Sequence, residues 1–316
     1  MTYSVAIQMD PFDKINVDSD STIVLALEAA RRGHRLYYYQ PRQLSLENGI
    51  VYARIRSLAI RPGKQDYYTL GEEEKIPLAE MDIVLMRQDP PFDMHYMTAT
   101  YLLERVHPQT LVVNNPAEVR NCPEKLLVCH FPELMPPTLI TEDRKEITRF
   151  RQEHKNIILK PLYAHGGRDV FHIKQDDDNF PATLDVFEKL YHCPLIAQAY
   201  VPEITQGDKR IILVDGEAKG ALNRIPPAGQ IRSNLVAGGT AHFTTLSERD
   251  LEIAAIIGPE LKKRGLIFAG IDVIGPYITE INVTSPTGLP SVNRLNNLCV
   301  ERDIWDVIES KKGVVR

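Results

Sequence analysis

Two periods of hydrophobic alternation divide the chain. Val5 to Met9, apolar but for Gln8, is of strand length, and from Ser21 to Arg32 apolar residues recur at the spacing of one helix face. Asp20 or Ser21 stands where that helix needs an N-cap, and Gly33 stands where it should stop. Leu36 to Tyr39 resumes as a strand, and Ile83 to Met86 and Leu111 to Val113 follow in the same style. A strand, helix, strand opening of this kind predicts an α/β fold with an open parallel sheet in the amino-terminal domain. Ligands of such sheets sit beyond the carboxyl ends of the strands, where Asp10-Pro11-Phe12-Asp13 and Arg87 to Asp93 fall.

A new section begins near Asn114-Asn115-Pro116. It carries a helix near Cys122 to Phe131, a turn at Pro136-Pro137, and strands at Asn156 to Lys160, Val170 to Lys174 and Leu195 to Tyr200. Further strands are expected at Lys209 to Val214 and Lys219 to Ile225, then a helix from Glu248 to Arg264 and a strand pair around Gly275-Pro276. The expected organisation is an amino-terminal domain over 1–121, on the substrate side, and two α+β lobes over 122–200 and 201–316. Within the last lobe, residues 224–243 are rich in Pro, Gly, Ser and Asn, too long for a passive turn, and read as a mobile loop.

Composition narrows the function. The 316 residues include 37 Lys plus Arg against 42 Asp plus Glu, with no basic block interleaved with aromatics, so no nucleic-acid partner is expected. No apolar run reaches membrane-spanning length, and no membrane association is expected. Cys122, Cys129, Cys193 and Cys299 are scattered, with neither metal spacing nor a disulfide pattern. Together with an amino terminus that enters a strand directly, this points to the cytoplasm.

The candidate chemistry lies on the last strand pair. Phe268 to Ile274 alternates, and so does Ile278 to Val283, which places Glu280 and Asn282 on one face. With a three-residue connection, Gly275-Pro276-Tyr277, Asp272 would stand opposite Glu280. Facing carboxylates repel unless a cation sits between them, and Asp, Glu and Asn oxygens suit Mg²⁺. An ordinary half-exposed edge strand is the competing reading. Lys160 at a strand end, followed by Gly166-Gly167, could cradle phosphate. No G-x-x-x-x-G-K-[ST] and no G-x-G occur, which argues against P-loop ATPases, protein kinases and the dinucleotide fingerprint.

Taken together, Lys160 with its glycine loop, Asp208-Lys209-Arg210, Gly270 to Ile274 and Thr279 to Thr287 resemble the ATP-grasp carboxylate-amine ligases. Among these, Met9-Asp10-Pro11, Arg31-Arg32-Gly33, Leu85-Met86-Arg87, Asp89 to Asp93, Leu103-Glu104-Arg105 and Glu124-Lys125-Leu126 resemble the bacterial glutathione synthetases. That resemblance runs in order from about residue 5 to 287. Two blocks depart from it: Tyr163-Ala164 replaces the usual Asp-Gly of the glycine loop, and Gly288 to Asn293 replaces an Ile-Arg-Glu type segment.

The resemblance implies ligation of γ-glutamylcysteine to glycine with ATP and Mg²⁺, or Mn²⁺ in its place, by a cytoplasmic homotetramer. It implies that Lys125 and Lys160 bind the ATP phosphates with Gly166 and Gly167, and that Gln198, Ala199, Tyr200 and Val201 line the adenine pocket with main-chain groups. Asp208 would sit near the ribose, and Asp272, Glu280 and Asn282 would coordinate the metal. Arg210 and Arg232 would stabilise the transferring phosphate, and Asp20, Ser21, Arg210 and Arg224 would meet the substrate. A related peptide or amino-acid ligase, or an ATP-binding regulatory module without turnover, are the alternatives.

Overall fold

The computed structural model describes residues 1–235 and 238–314, organised around three sheets. The first section runs β1 (Ser4–Gln8), α1 (Ser21–Arg31), β2 (Arg35–Tyr39), β3 (Leu44–Glu47), β4 (Ile50–Ile60), β5 (Tyr68–Pro77), β6 (Ile83–Met86), α2 (Met94–Glu104) and β7 (Leu111–Val113). β1 lies parallel to β2 and β6, and β6 parallel to β7. This is the open parallel sheet expected. β4 then adds antiparallel to β2, with β3 and β5 on it, so the whole sheet is mixed. Residues 44–77 lie outside the elements read from the sequence, although Val51, Ala53 and Ile55 alternate inward against Arg54 and Arg56.

The second section contains α3 (Pro116–Asn121), α4 (Glu124–Leu127), β8 (Thr138–Thr141), α5 (Arg144–His154), β9 (Ile157–Pro161), β10 (Phe171–Ile173), α6 (Phe180–Leu190) and β11 (Leu195–Ala199). Its antiparallel sheet has the order β10-β9-β11-β8. Alternation along β9 sends Ile157 and Leu159 into a small core with Phe150, Leu184 and Phe187, while Ile158 and Lys160 face the other way.

The third section contains β12 (Asp208–Val214), β13 (Glu217–Ile225), β14 (Thr240–Phe243), α7 (Glu248–Lys263), β15 (Phe268–Ile274), β16 (Tyr277–Asn282), α8 (Leu289–Asn296) and α9 (Val300–Val314). Its antiparallel sheet has the order β14-β13-β12-β15-β16. The run 224–243 is therefore not one loop: Arg224 and Ile225 belong to β13, and Thr240–Phe243 is β14. Val236 and Ala237 of that run, and Val315 and Arg316 at the chain end, lie outside the described residues.

Two large cores tie the first and third sections together. One joins Ala6, Val84 and Leu103 to Ile211, Ile271 and Ile281; the other joins Ile7 and Leu25 to Ile212, Val292 and Trp305. Polar links reinforce them. Asn114 donates to the Phe268 and Val283 carbonyls at 2.7 and 2.8 Å and accepts from the Phe268 amide at 2.9 Å, so its whole amide is satisfied. The Trp305 indole donates to the Leu25 carbonyl at 2.9 Å, docking α9 on α1.

Candidate active site

β12, β13, β15 and β16 turn one face of their sheet to the first core; the other face joins the second core at one end and opens at the other to a cleft shared with β9 and β11. Alternation puts Ile211, Leu213, Ile271 and Ile281 inside, and leaves Asp208, Arg210, Arg224, Asp272 and Glu280 lining the opposite side. Asp272 and Glu280 stand directly opposite one another. The reason differs from the one expected: the turn is the two-residue Gly275-Pro276, with Ile274 paired to Tyr277, and a bulge restores the register. Thr279 is the extra residue, its hydroxyl donating to the Asp272 carbonyl at 3.2 Å.

Two adjoining clefts meet here. The first is lined by Lys125, Lys160, Gly166, Gly167, Gln198 to Val201, Asp208, Arg232, Asp272 and Glu280, with Ile158, Val170, Ile204 and Ile274 as apolar wall. The second is lined by Asp89, Pro90, His165, Arg210, Arg224, Asn282 and Thr284 to Gly288. Glu124, Gly166, Arg168, Asn234 and Glu280 border both. Asp20 and Ser21 border neither. Asp20 caps α1, accepting from the Thr22 and Ile23 amides at 2.6 and 3.0 Å, and the buried Ser21 hydroxyl accepts from the Leu289 amide at 3.3 Å.

Four carboxylates, Glu124, Asp208, Asp272 and Glu280, face four cations, Lys125, Lys160, Arg210 and Arg224. Asp272 accepts from Arg210 at 2.5 and 2.9 Å in a two-pronged pair, and lies 2.9 Å from Arg224. Burial alone would raise its pKa, but Arg210 and Arg224 outweigh that and hold it down at about 2. Asp208 shares Arg224 and accepts from the Ser233 hydroxyl at 2.8 Å, yet burial dominates and pushes it up to about 6. Its Oδ1 is buried without a partner among the described residues.

The lysines differ. Lys125 donates to the Ala164 carbonyl at 2.6 Å and is paired with Glu124; burial would lower its pKa, but Glu280 and Glu124 raise it. Lys160 is equally buried and has Glu280 at 3.7 Å, so burial prevails and its pKa is lowered. A phosphate here would supply the charge Lys160 lacks. The glycine loop fits the same ligand. Gly166 and Gly167 have φ of +67° and +74°, and a Cβ on Gly167 would meet Asn234 Oδ1 at 2.5 Å.

Among the described residues no group of three His, Cys, Asp or Glu side chains could hold a metal ion. The Asp272, Glu280 and Asn282 set instead offers two carboxylates and an amide oxygen on neighbouring strands. Both Asp272 oxygens are already engaged by guanidinium, and Asn282 donates to Oδ2 at 3.4 Å. Glu280 is looser, with Lys125 and Lys160 both at 3.7 Å. Such hard donors fit a magnesium ion that phosphate oxygens and water also hold.

The chain's kinship decides what this arrangement serves. Residues 3–120 match the family model of the prokaryotic glutathione synthetase N-terminal domain, and residues 124–297 match that of the prokaryotic glutathione synthetase ATP-grasp domain. This chain belongs to the prokaryotic glutathione synthetases. It is 53% identical to the glutathione synthetase of Rhodopseudomonas palustris over 99% of this chain and 100% of that protein. It is 51% identical to that of Brucella melitensis, again over 99% and 100%. The ATP-grasp fold is shared with the solved ligase PsnB, complexed with a minimal precursor, Mg and ADP, at a TM-score of 0.62 and 15% identity over 98% of both chains.

The sequence assigned no role to Glu124, His165 and Ser233, which the fold places on the cleft walls. Glu124 is next to Lys125 in sequence, and burial raises its pKa against the pull of that lysine. A carboxylate beside an assigned phosphate-binding lysine was the available signal. Ser233 carried none, because only the fold brings it to Asp208.

Proposed function

We propose that the chain joins γ-L-glutamyl-L-cysteine to glycine with ATP, forming glutathione, ADP and phosphate through an acyl phosphate of the dipeptide. The observation that carries this reading is the pair of clefts with a shared wall, in a chain matched along its length by the glutathione synthetase family. ATP occupies the first cleft and the dipeptide and glycine the second, so that the γ-phosphate and the cysteinyl carboxylate meet at Glu280, Glu124 and Gly166.

Lys125 and Lys160 hold the phosphates, with the amides of the glycine loop, and Asp208 offers its unpartnered Oδ1 to the ribose hydroxyls. The Ala199 and Tyr200 amides already donate to Pro137 and Asn156 at 2.8 and 3.0 Å, which leaves the Val201 amide and the segment's carbonyls to read the adenine. Asp272, Glu280 and Asn282 would hold magnesium, with manganese as a substitute, and the ion when bound would supply positive charge to the transferring phosphate. Arg210 and Arg224 orient the dipeptide carboxylate. They and Arg232 then stabilise the charge that moves to the leaving phosphate.

The 226–239 loop acts as a lid that keeps water from the acyl phosphate, with Arg232 and Asn234 on the cleft wall when it lies as it does here. The first section, including Asp20 and Ser21, supports the dipeptide end through the α1 cap and the Leu289 contact. In this reading the enzyme works in the cytoplasm as a homotetramer; its four cysteines are free, and no helix among the described residues is long and apolar enough to cross a membrane. Phosphate release, measured with dipeptide, glycine and Mg²⁺ omitted in turn, tests it. Release should require all three, and equal rates with unrelated dipeptides would remove the substrate assignment.

A further inference from the structure

The geometry points to His165 as the base that takes a proton from the incoming amine, an assignment that rests on the ligation proposed above. The loop between β9 and β10 puts His165 on the wall of the second cleft, and on a small adjoining hollow with Pro90 and Phe92. Its position is fixed from the side of the phosphates. Ala164, the residue before it, accepts from Lys125 Nζ at 2.6 Å. His165 therefore follows directly on a contact of the phosphate-binding lysine, close to where the activated carboxylate would await its second substrate.

An amino acid reaches the enzyme at neutral pH as an ammonium ion, which has no lone pair to attack with. Something must take that proton. The ionisable groups lining this cleft are Asp89, Glu124, His165, Arg168, Arg210, Arg224 and Glu280. The arginines only donate. Glu124 is held by Lys125, and Glu280 lies between two lysines and is assigned to the metal. Asp89 and His165 remain. Burial raises the Asp89 pKa, but its carboxylate is engaged by the Ser285 hydroxyl, whereas the imidazole is free and has the higher ordinary pKa.

The His165 ring makes no hydrogen bond among the described residues, so neither nitrogen is committed. Burial, then Arg168 and Lys125, hold its pKa below the ordinary histidine value, and the carboxylates of Asp89, Glu124 and Glu280 line the same cleft. At neutral pH it is uncharged and can accept. The step balances. His165 takes one proton from the ammonium, and the freed nitrogen lone pair forms the C–N bond at the acyl carbon. The C–O bond to phosphate then breaks, the second nitrogen proton leaves with the phosphate, and His165 returns its proton to solvent.

Two acceptors separate a base from a merely well-placed loop residue: glycine, charged at neutral pH, and hydroxylamine, which is not. His165→Gln should lose roughly 100-fold in turnover with glycine at neutral pH, with the deficit shrinking as pH rises and the KM for ATP unchanged. Hydroxamate formation from hydroxylamine should stay within about twofold of wild type. Equal losses with both acceptors, or full glycine turnover with an unchanged pH profile, would overturn the assignment. So would an Asp89→Asn variant that loses glycine turnover and spares hydroxylamine, since the base would then be Asp89. Wild-type enzyme that releases no dipeptide-dependent phosphate removes the ligation reading itself, an outcome distinct from any of these.

Discussion

Glu280 answers to two lysines at 3.7 Å, while Asp272 is gripped by two arginines at 2.9 Å or less. Without ligand, the site thus balances its charges internally. In the proposed reading, nucleotide phosphates would take the two lysines, and Glu280 would then be free to help hold the metal. Glu280→Gln keeps the shape and removes the charge, so turnover should fall about 100-fold or more while the melting curve without nucleotide moves little. Wild-type activity with an unaltered magnesium requirement would contradict the role. The facing of Asp272 and Glu280 was legible from alternation, but the turn behind it was not. Two-residue and three-residue turns differ by one register step, and only the bulge at Thr279 reconciles the short turn with the pairing. Glu124 could have been found from its place beside Lys125, whereas nothing local marks His165 or Ser233 as part of a cleft wall.

The glycine loop and the 226–239 loop meet at Gly167 and Asn234, so elements far apart in sequence close on one another there. Gly167→Ala adds a methyl group where Asn234 Oδ1 would be 2.5 Å away, at a φ of +74° that side chains rarely adopt. Gly166 has a similar φ of +67° but open space around it, which makes it the control. Nucleotide titration should show the Gly167 variant weakened by about 10-fold or more and the Gly166 variant weakened less. Equal losses would mean that backbone strain alone sets the effect. The strongly alternating strands of the third section were read correctly from sequence. β8 and α5 were not: β8 is a short edge strand with no fully buried residue, and α5 buries only Ile147 and Phe150 among charged neighbours.

In the whole molecule, the β8–β11 sheet with α5 and α6 stands on its own core, whereas the first and third sections share two, into which α3 and α4 also pack. A unit with a small separate core opens at lower free energy. Amides of β9 and β11 should exchange with solvent faster than those of β12 and β15, and ATP with magnesium should slow the former most. Uniform exchange, unmoved by nucleotide, would contradict a clasping lobe. The seam between the other two sections has a titratable pin. His34 is buried against Trp305, with its Nε2 2.9 Å from Glu309 on α9, and burial outweighs Glu309 to lower its pKa. The unfolded chain binds a proton here more readily, so the stability His34 contributes is present above about pH 6.5 and is lost as pH falls below it. A His34→Gln variant should show a shallower loss of melting temperature from neutral to mildly acid pH; an identical slope would exclude His34 as its source. The return of α8 and α9 onto α1 was not legible, since helix periodicity shows that a face is apolar but not what will cover it.

In the proposed reaction the dipeptide carboxylate is phosphorylated before the amine attacks. The direct measurement follows one oxygen atom. γ-Glutamylcysteine carrying heavy oxygen in its cysteinyl carboxylate is turned over with ATP and glycine, and the inorganic phosphate is weighed by mass spectrometry. An acyl phosphate hands one carboxylate oxygen to the phosphate when the C–O bond breaks, so each phosphate released should carry one heavy atom for a fully labelled carboxylate. Phosphate with only ordinary oxygen, formed alongside glutathione, would contradict the account.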